Sequence, residues 1–157
     1  MSVLMRLIAA AAGIATVLLV TLSTLQKPTA PPRVTSPREV VMAFEKLAFD
    51  ERNPKQAILE YVSPDFIDHS PNMDGTRDGA IRHLDKLDWS TAAPQREIQR
   101  IIADQDIVAI HHRLTRKPGD PSIAVVDIFR VKDGMIVEHW DVLQPVPADT
   151  VNPAPMF

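Results

Sequence analysis

The sequence predicts an α+β fold, a cone-shaped, curved antiparallel sheet preceded by about three helices. Three observations carry this. Between positions 37 and 87, apolar residues recur every three or four places, the period of an amphipathic helix. Beyond Pro94 the period drops to two and Val and Ile dominate, the pattern of half-buried strands. All helical segments come before all strand segments, an order that places helices on one face of an antiparallel sheet rather than alternating with parallel strands. Helices packed on one face of a bent sheet form a cone that can enclose a cavity.

The chain has 157 residues, which suits one folded domain. Its start reads differently. Arg6 precedes an uncharged apolar run, LIAAAAGIATVLLVTLSTL, at positions 7–25. A secretory apolar region is ~7–15 residues long and a spanning helix needs ~20, so this run suits either role. Residues 1–27 are therefore expected to be a signal peptide or an N-terminal membrane anchor. The protein is then exported, periplasmic or extracellular, and either released or held by an uncleaved N-terminal helix. Residues 28–36, rich in proline and small polar side chains, form an extended linker. The domain proper spans 37–157.

Ser36 can cap the first helix and Pro37 fits its first turn. Val40, Val41, Phe44, Leu47 and Ala48 form its apolar stripe, with Glu39, Glu45 and Lys46 on the wet side. Asn53-Pro54 starts a second short helix that buries Ala57, Ile58 and Tyr61, and Ser63-Pro64 ends it. Residues 66–70 are a short extended piece. A third helix runs roughly over 77–87, with Ile81, Leu84 and Leu87 inward. Four strands follow, at about 96–104, 106–116, 122–131 and 135–144. The proline-rich tail from Pro145 lies over the surface.

The last two strands form a hairpin around Lys132-Asp133-Gly134, and two registers compete. A two-residue Asp-Gly turn pairs Lys132 with Met135 and sets Ile128 opposite His139. A three-residue loop with Gly134 in a left-handed bulge pairs Val131 with Met135, Phe129 with Val137, Asp127 with His139 and Val125 with Asp141. The second is preferred, because it gathers Asp127, His139 and Asp141 on one face. The other face then carries Val126, Ile128, Ile136 and Trp140, a surface apt for packing or for a homodimer. A slip of one residue would exchange the two faces.

Composition excludes several chemistries. The net charge is -3, whereas phosphate binding needs a basic surface, so nucleic acid is not an expected partner. Without cysteine there are no disulfides, thiolate metal sites or cysteine nucleophiles. Five glycines do not assemble a phosphate-cradling loop, and no G-x-S-x-G marks a serine nucleophile. Carboxyl and imidazole groups facing a dry cavity remain. Burial raises a carboxyl pKa toward neutrality and a nearby imidazole can share the proton, the usual means of general acid–base catalysis. Asp141 suits the base. Asp127, if protonated, can donate to a substrate oxygen. His69 and His139 can orient a water or a carbonyl. His111 and Phe129 are the candidate ligand contacts, although alternation alone leaves open whether His111 or His112 points inward. A hydrogen-bonded Asp–His pair that merely satisfies a polar core is the structural alternative. A metal set of His111, His139 and Asp127 is another, but no metal motif is present, and neither metal nor cofactor is expected. The scattered Arg and Lys read as solvated, and Trp89 and Trp140 as packing residues.

FIDHSP, VVDIFRVKDGMIVEHWDVLQPVP and the ending PMF together resemble the SnoaL-like branch of the nuclear-transport-factor-2-like superfamily, the SnoaL-like aldol-condensation-catalysing enzymes. The resemblance covers roughly residues 38–157, and DIFRVKDGMIVEHWD is its most specific part. It implies a conical α+β barrel with a deep pocket, commonly dimeric through the sheet, and a small-molecule substrate. Relatives include polyketide cyclases, ketosteroid isomerases and limonene-epoxide hydrolases. By this analogy Asp141 takes the place of the catalytic carboxylate, Asp127 that of an oxyanion-stabilising acid, and His69 that of a water-holding amide. It favours the three-residue loop, and His111 over His112. The chain departs from these relatives in having no Arg/Asp pair near residues 111–114, and its only tyrosine, Tyr61, falls in the second helix.

Overall fold

A computed structural model describes residues 36–90 and 93–157. The expectations for residues 1–27 and, apart from Ser36, for 28–36 lie outside the described residues. Among the described residues no helix is long and apolar enough to cross a membrane.

Helix α1 (Pro37–Glu45) begins where the sequence places it. The Ser36 hydroxyl accepts from the Glu39 amide, and the Glu39 carboxylate accepts from the Ser36 amide, a reciprocal cap. The helix continues into a wider π turn over Lys46–Asp50, closed by the Glu51 amide donating to the Lys46 carbonyl at 2.9 Å. Helix α2 (Pro54–Tyr61) starts at its proline. Helix α3 (Arg77–Leu84) is capped by Thr76, whose hydroxyl accepts from the Gly79 amide at 3.0 Å, and ends earlier than its apolar pattern suggests.

The strands are β1 (Val62–Asp68), β2 (Gln95–Asp104), β3 (Ile107–Thr115), β4 (Ile123–Lys132) and β5 (Met135–Pro145), in the sheet order β1-β5-β4-β3-β2. The expected meander β2–β5 is present. The sheet is nevertheless mixed rather than purely antiparallel, because β1 pairs in parallel with β5. Its opening residues, Val-Ser-Pro, read as a helix stop. An edge strand tolerates that proline, since one side of it needs no ladder donor.

The hairpin corrects the preferred register. Asp133 and Gly134 both have positive φ, 52° and 78°, the requirement of a two-residue type I′ turn. Lys132 pairs with Met135 and Val131 with Ile136. Val137 is then an extra residue, a bulge, beyond which Phe129 pairs with His139 and Asp127 with Asp141. Neither expected register is correct throughout. The bulge sits in the strand rather than in the loop, yet it still leaves Asp127, Phe129, His139 and Asp141 on one face. It also turns Ile136 inward, where it is 1% exposed, instead of outward with Trp140.

The core lies between α1, α2 and the inner face of the sheet. Val40, Val41, Phe44 and Ile58 from the helices meet Val108, Ile110, Phe129, Val131 and Ile136 from the strands. Burying such side chains contributes roughly 1.5–3 kcal/mol each relative to leaving them in water. This packing leaves a hollow beside it that Phe44, Ile58, Phe129 and Ile136 also line.

Candidate functional site

A cavity of about 770 Å³ occupies that hollow. Pockets for organic ligands span ~300–1,000 Å³. Its walls are apolar, with Phe66, Met73, Leu84, Val125 and Phe129 among them. Polar groups gather on the sheet side: Asp68 and Ser70 at the end of β1, Arg96 on β2, His112 on β3, Asp127 on β4, and His139 and Asp141 on β5, with Glu45 reaching in from α1.

Most of these groups are bound to one another. Arg96, 8% exposed at its side chain, holds Glu45 at 2.8 Å and Asp127 at 2.5 Å, and its guanidinium lies 4.0 Å over the Phe49 ring. His112 Nε2 is 2.9 Å from Asp127 Oδ2. An ionised carboxylate only accepts, so Nε2 donates to Asp127 in the tautomer that carries its hydrogen, whereas in the other tautomer it accepts from Arg96 Nη2, also 2.9 Å away. His139 bridges two carboxylates, with Nδ1 3.1 Å from Asp68 and Nε2 3.4 Å from Asp127, while its ring stacks on Phe129 at 5.0 Å. Asp68 also accepts from the Ser70 amide at 2.9 Å. Asp141 stands apart, accepting only the Ser70 hydroxyl at 3.0 Å, with no ion pair among the described residues.

Burial and pairing shift the titration of Asp127, His139 and Glu45. Burial works against the Asp127 charge, but hydrogen bonds from His112 and His139 and the charge of Arg96 outweigh it and hold the carboxyl far below the usual carboxylate range. Burial likewise disfavours a charged His139, yet its bonds to Asp127 and Asp68 raise its pKa to about 9, so it is an imidazolium at neutral pH. Glu45 moves the other way. Desolvation outweighs its bond to Arg96, nearby Asp127 adds repulsion, and its pKa rises to about 7.

Four of the six expected site residues reach the cavity: Asp127, Phe129, His139 and Asp141. The expected protonated state of Asp127 is not found, because one arginine and two histidines surround it. His69 is not in the cavity. It follows the alternation of β1, in which Phe66 and Asp68 are 8% and 6% exposed and face in, while Ile67 is 51% exposed. His69 therefore lies on the outer side, stacked on Trp140 at 4.6 Å and 3.2 Å from Glu138. His111 also faces outward, 3.0 Å from Arg100 and stacked at 5.9 Å on Phe157 of the tail. His112 is the inner residue, 1% exposed. It shares its face with Val108 and Ile110, both fully buried, and that run of larger apolar neighbours was the signal to follow. The possible metal set is thereby split across the sheet, and among the described residues no cluster of His, Asp and Glu is arranged to hold a metal ion.

Sequence reasoning missed Arg96, Glu45, Asp68 and Ser70. Glu45 follows Val41 by four places and so stands on the apolar stripe it was assigned away from. Arg96 carried no local signal, since its partners come from a helix and a strand far along the chain.

Comparison with known families supplies the context for this geometry. The model of the SnoaL-like domain matches residues 40–139, more than half of the chain. The chain belongs to the SnoaL-like family. Among solved structures, this SnoaL-like fold is similar to that of IdmH, a putative polyketide cyclase from Streptomyces antibioticus, with a TM-score of 0.55 and 20% identity over 69% of this chain and 92% of that one. It is similar to AclR, a putative hydroxylase from Streptomyces galilaeus, with a TM-score of 0.56 and 22% identity over 69% and 88% of the two chains. It is also similar to a nuclear-transport-factor-2-like protein of unknown function from Burkholderia xenovorans, with a TM-score of 0.58 and 14% identity over 73% and 88%. At these identities the likeness concerns the fold alone. Comparison with curated proteins gives no match.

Proposed function

We propose that this SnoaL-like protein is a cofactor-independent acid–base enzyme acting on a small, largely apolar carbonyl compound, with Asp141 as the base. The observation that carries this reading is the contrast among the cavity's carboxyl groups. Glu45, Asp68 and Asp127 are each bound to Arg96 or a histidine. Asp141 has only the Ser70 hydroxyl, so lone pairs remain to take a proton from a substrate. In the proposed step the C–H bond beside the carbonyl breaks, the proton passes to Asp141, and the electron pair moves onto the carbonyl oxygen. His139, two residues away on the same face of β5, places a positive charge near the developing oxyanion. Ser70 orients the carboxylate. An aldol, cyclase or isomerase outcome depends on where the enolate then reacts.

The test is exchange of α-protons for deuterium in a panel of small aryl and cyclic ketones, followed by NMR. The intact protein should catalyse exchange with a subset, and Asp141→Asn should lower the rate by about 10²–10⁴-fold, the usual contribution of a positioned base. Unchanged exchange in the variant removes Asp141 from the mechanism. Panel members that bind the intact protein without exchanging favour a second reading, a small-ligand-binding module, which the mutual pairing of Asp127 with Arg96 and His139 also supports.

We also propose that two copies pair through the outer face of the sheet, where Ile102 and Val142 are 65% and 61% exposed. Light scattering should show a dimer that Val142→Asp converts to monomer, and a monomeric parent protein rejects the idea. Export by residues 1–27 completes the proposal, and a fusion of residues 1–35 to a reporter that stays in the cytosol would reject it.

A further inference from the structure

Residues that line a cavity yet remain exposed to solvent mark its mouth. Here they include Lys86, just past α3, and Arg116 and Lys117, at the end of β3 and in the turn after it, with Asp88 as the mouth's acidic residue. Among the described residues, three cations from two separate parts of the chain thus share the mouth with one acid. Lys46, Arg82 and Arg130 pair with Glu51, Asp74 and Asp106 respectively. By contrast, Lys86 and Arg116 have no ion pair or side-chain hydrogen bond among the described residues. Asp88 accepts from Ser90, which with the nearby Lys117 charge lowers its pKa.

The floor of the cavity has the opposite character. Glu45, Asp68, Asp127 and Asp141 line it together with Arg96 and His139, so carboxyl groups outnumber cations there, and apolar side chains make up most of the remaining wall. The geometry points to a cationic collar, formed by Lys86, Arg116 and Lys117, that selects apolar ligands bearing an anionic group, a carboxylate or a phosphate. Such a ligand has only one favourable orientation. Its anion is drawn to the mouth, where cations outnumber acids, rather than to the floor, where Arg96 and His139 are already paired with carboxylates. Its hydrocarbon body fills the apolar region, and its far end is presented to Asp141. The collar is thus a specificity device for the site proposed above, and it rests on the reading of that cavity as a binding site. The sequence pattern offered no hint, because scattered Arg and Lys read as solvated.

Calorimetric titration of the full-length protein with naphthalene-2-acetate, 2-naphthyl phosphate and 2-naphthaleneethanol tests this, since the three share one apolar body. Each exposed charge pair contributes a factor of about two, so three should make the better anion bind about tenfold tighter than the alcohol at low salt. The preference should shrink at high salt, as for any screened surface charge. The triple variant Lys86→Gln, Arg116→Gln, Lys117→Gln should bind all three probes alike, with the alcohol affinity unchanged. The tighter anion identifies the group. Anions that bind no tighter than the alcohol, or a preference that survives in the triple variant, overturn the collar and leave the cavity reading intact. Anions that bind while the alcohol does not, and are lost in the variant, uphold the collar and overturn the apolar-cavity reading. If no probe binds, both are rejected.

Discussion

The two faces of the sheet are built from alternate residues of the same strands, and each carries two histidines, yet they differ in kind. On the inner face, Arg96 pairs with Glu45 and Asp127, and His112 and His139 tie Asp127 and Asp68 into the same buried network, which still leaves Arg96 Nε and His112 Nδ1 without partners among the described residues. On the outer face, His69 and His111 stack on Trp140 and Phe157, beside the ion pairs of Arg130 with Asp106 and Glu138. The comparison shows that residue type says little about role here. Removal from water is what turns an aspartate, an arginine and a histidine into an interdependent set. Outside, the same groups are screened and replaceable.

The comparison is most easily broken at its arginines. Arg96→Ala leaves Glu45 buried without its cation and leaves Asp127 with only its histidine partners. An uncompensated buried charge costs about 3–5 kcal/mol, so the urea midpoint should fall sharply or the chain should fail to fold. Arg130→Ala, on the outer face, should leave the midpoint within experimental error of the parent. Equal losses for the two variants would show that the inner network is no more cohesive than a surface ion pair.

How far the sequence revealed this division depends on the range of the interaction. Periodicity is local, and it found all three helices and strands β2–β5, although the loop between β4 and β5 is the two-residue Asp133-Gly134 turn rather than the preferred three-residue loop. It missed β1 as a strand because Pro64 belongs to an edge and the strand's partner, β5, lies some 70 positions along the chain. The hairpin face was assigned correctly through an incorrect register, since a bulge at Val137 and a bulge in the loop have the same effect on parity. The histidines were misplaced for a different reason. Alternation left His111 and His112 open and analogy chose His111, and the short piece around His69 was expected to face inward. The burial of Val108, Ile110, Phe66 and Asp68 places His112 and Asp68 inside instead. Arg96 and Glu45 became recognisable only when the fold brought together segments about 50 residues apart.

Acidity sharpens the comparison at smaller cost. The folded pKa of His139, about 9, exceeds its ordinary value of 6.5, so the folded state holds the extra proton. Its contribution is fully present below pH ~6.5 and is lost as pH rises through about 9; by linkage it is worth roughly 3 kcal/mol. Glu45, raised from 4.5 to about 7, has the same sign in a lower window. Its stabilising contribution is complete below about pH 4.5 and is lost as pH rises through about 7. Stability measured by urea unfolding should therefore decline from pH 5 to pH 9 in two stages. Glu45→Gln should flatten the first stage and His139→Gln the second. A profile that rises over this range, or that neither variant alters, would mean that the inner groups titrate as if they were in water.

The smallest expected effects belong to the outer histidines, and they test the assignment of faces directly. His69→Ala removes a ring stacked on Trp140 and a contact with Glu138, both partly open to solvent. His111→Ala removes a contact with Arg100 and with the Phe157 ring. Neither touches the cavity, so ligand affinity and α-proton exchange should stay within about twofold of the parent, the range expected for partly exposed polar contacts. His112→Ala instead strips a donor from buried Asp127. Leaving a buried acceptor short of a partner costs about 1–3 kcal/mol, and that loss should appear in stability even if the ligand never touches the ring. The three alanine variants thus separate alternation from analogy. If His111→Ala or His69→Ala depresses exchange while His112→Ala does not, the inner and outer faces have been assigned the wrong way round.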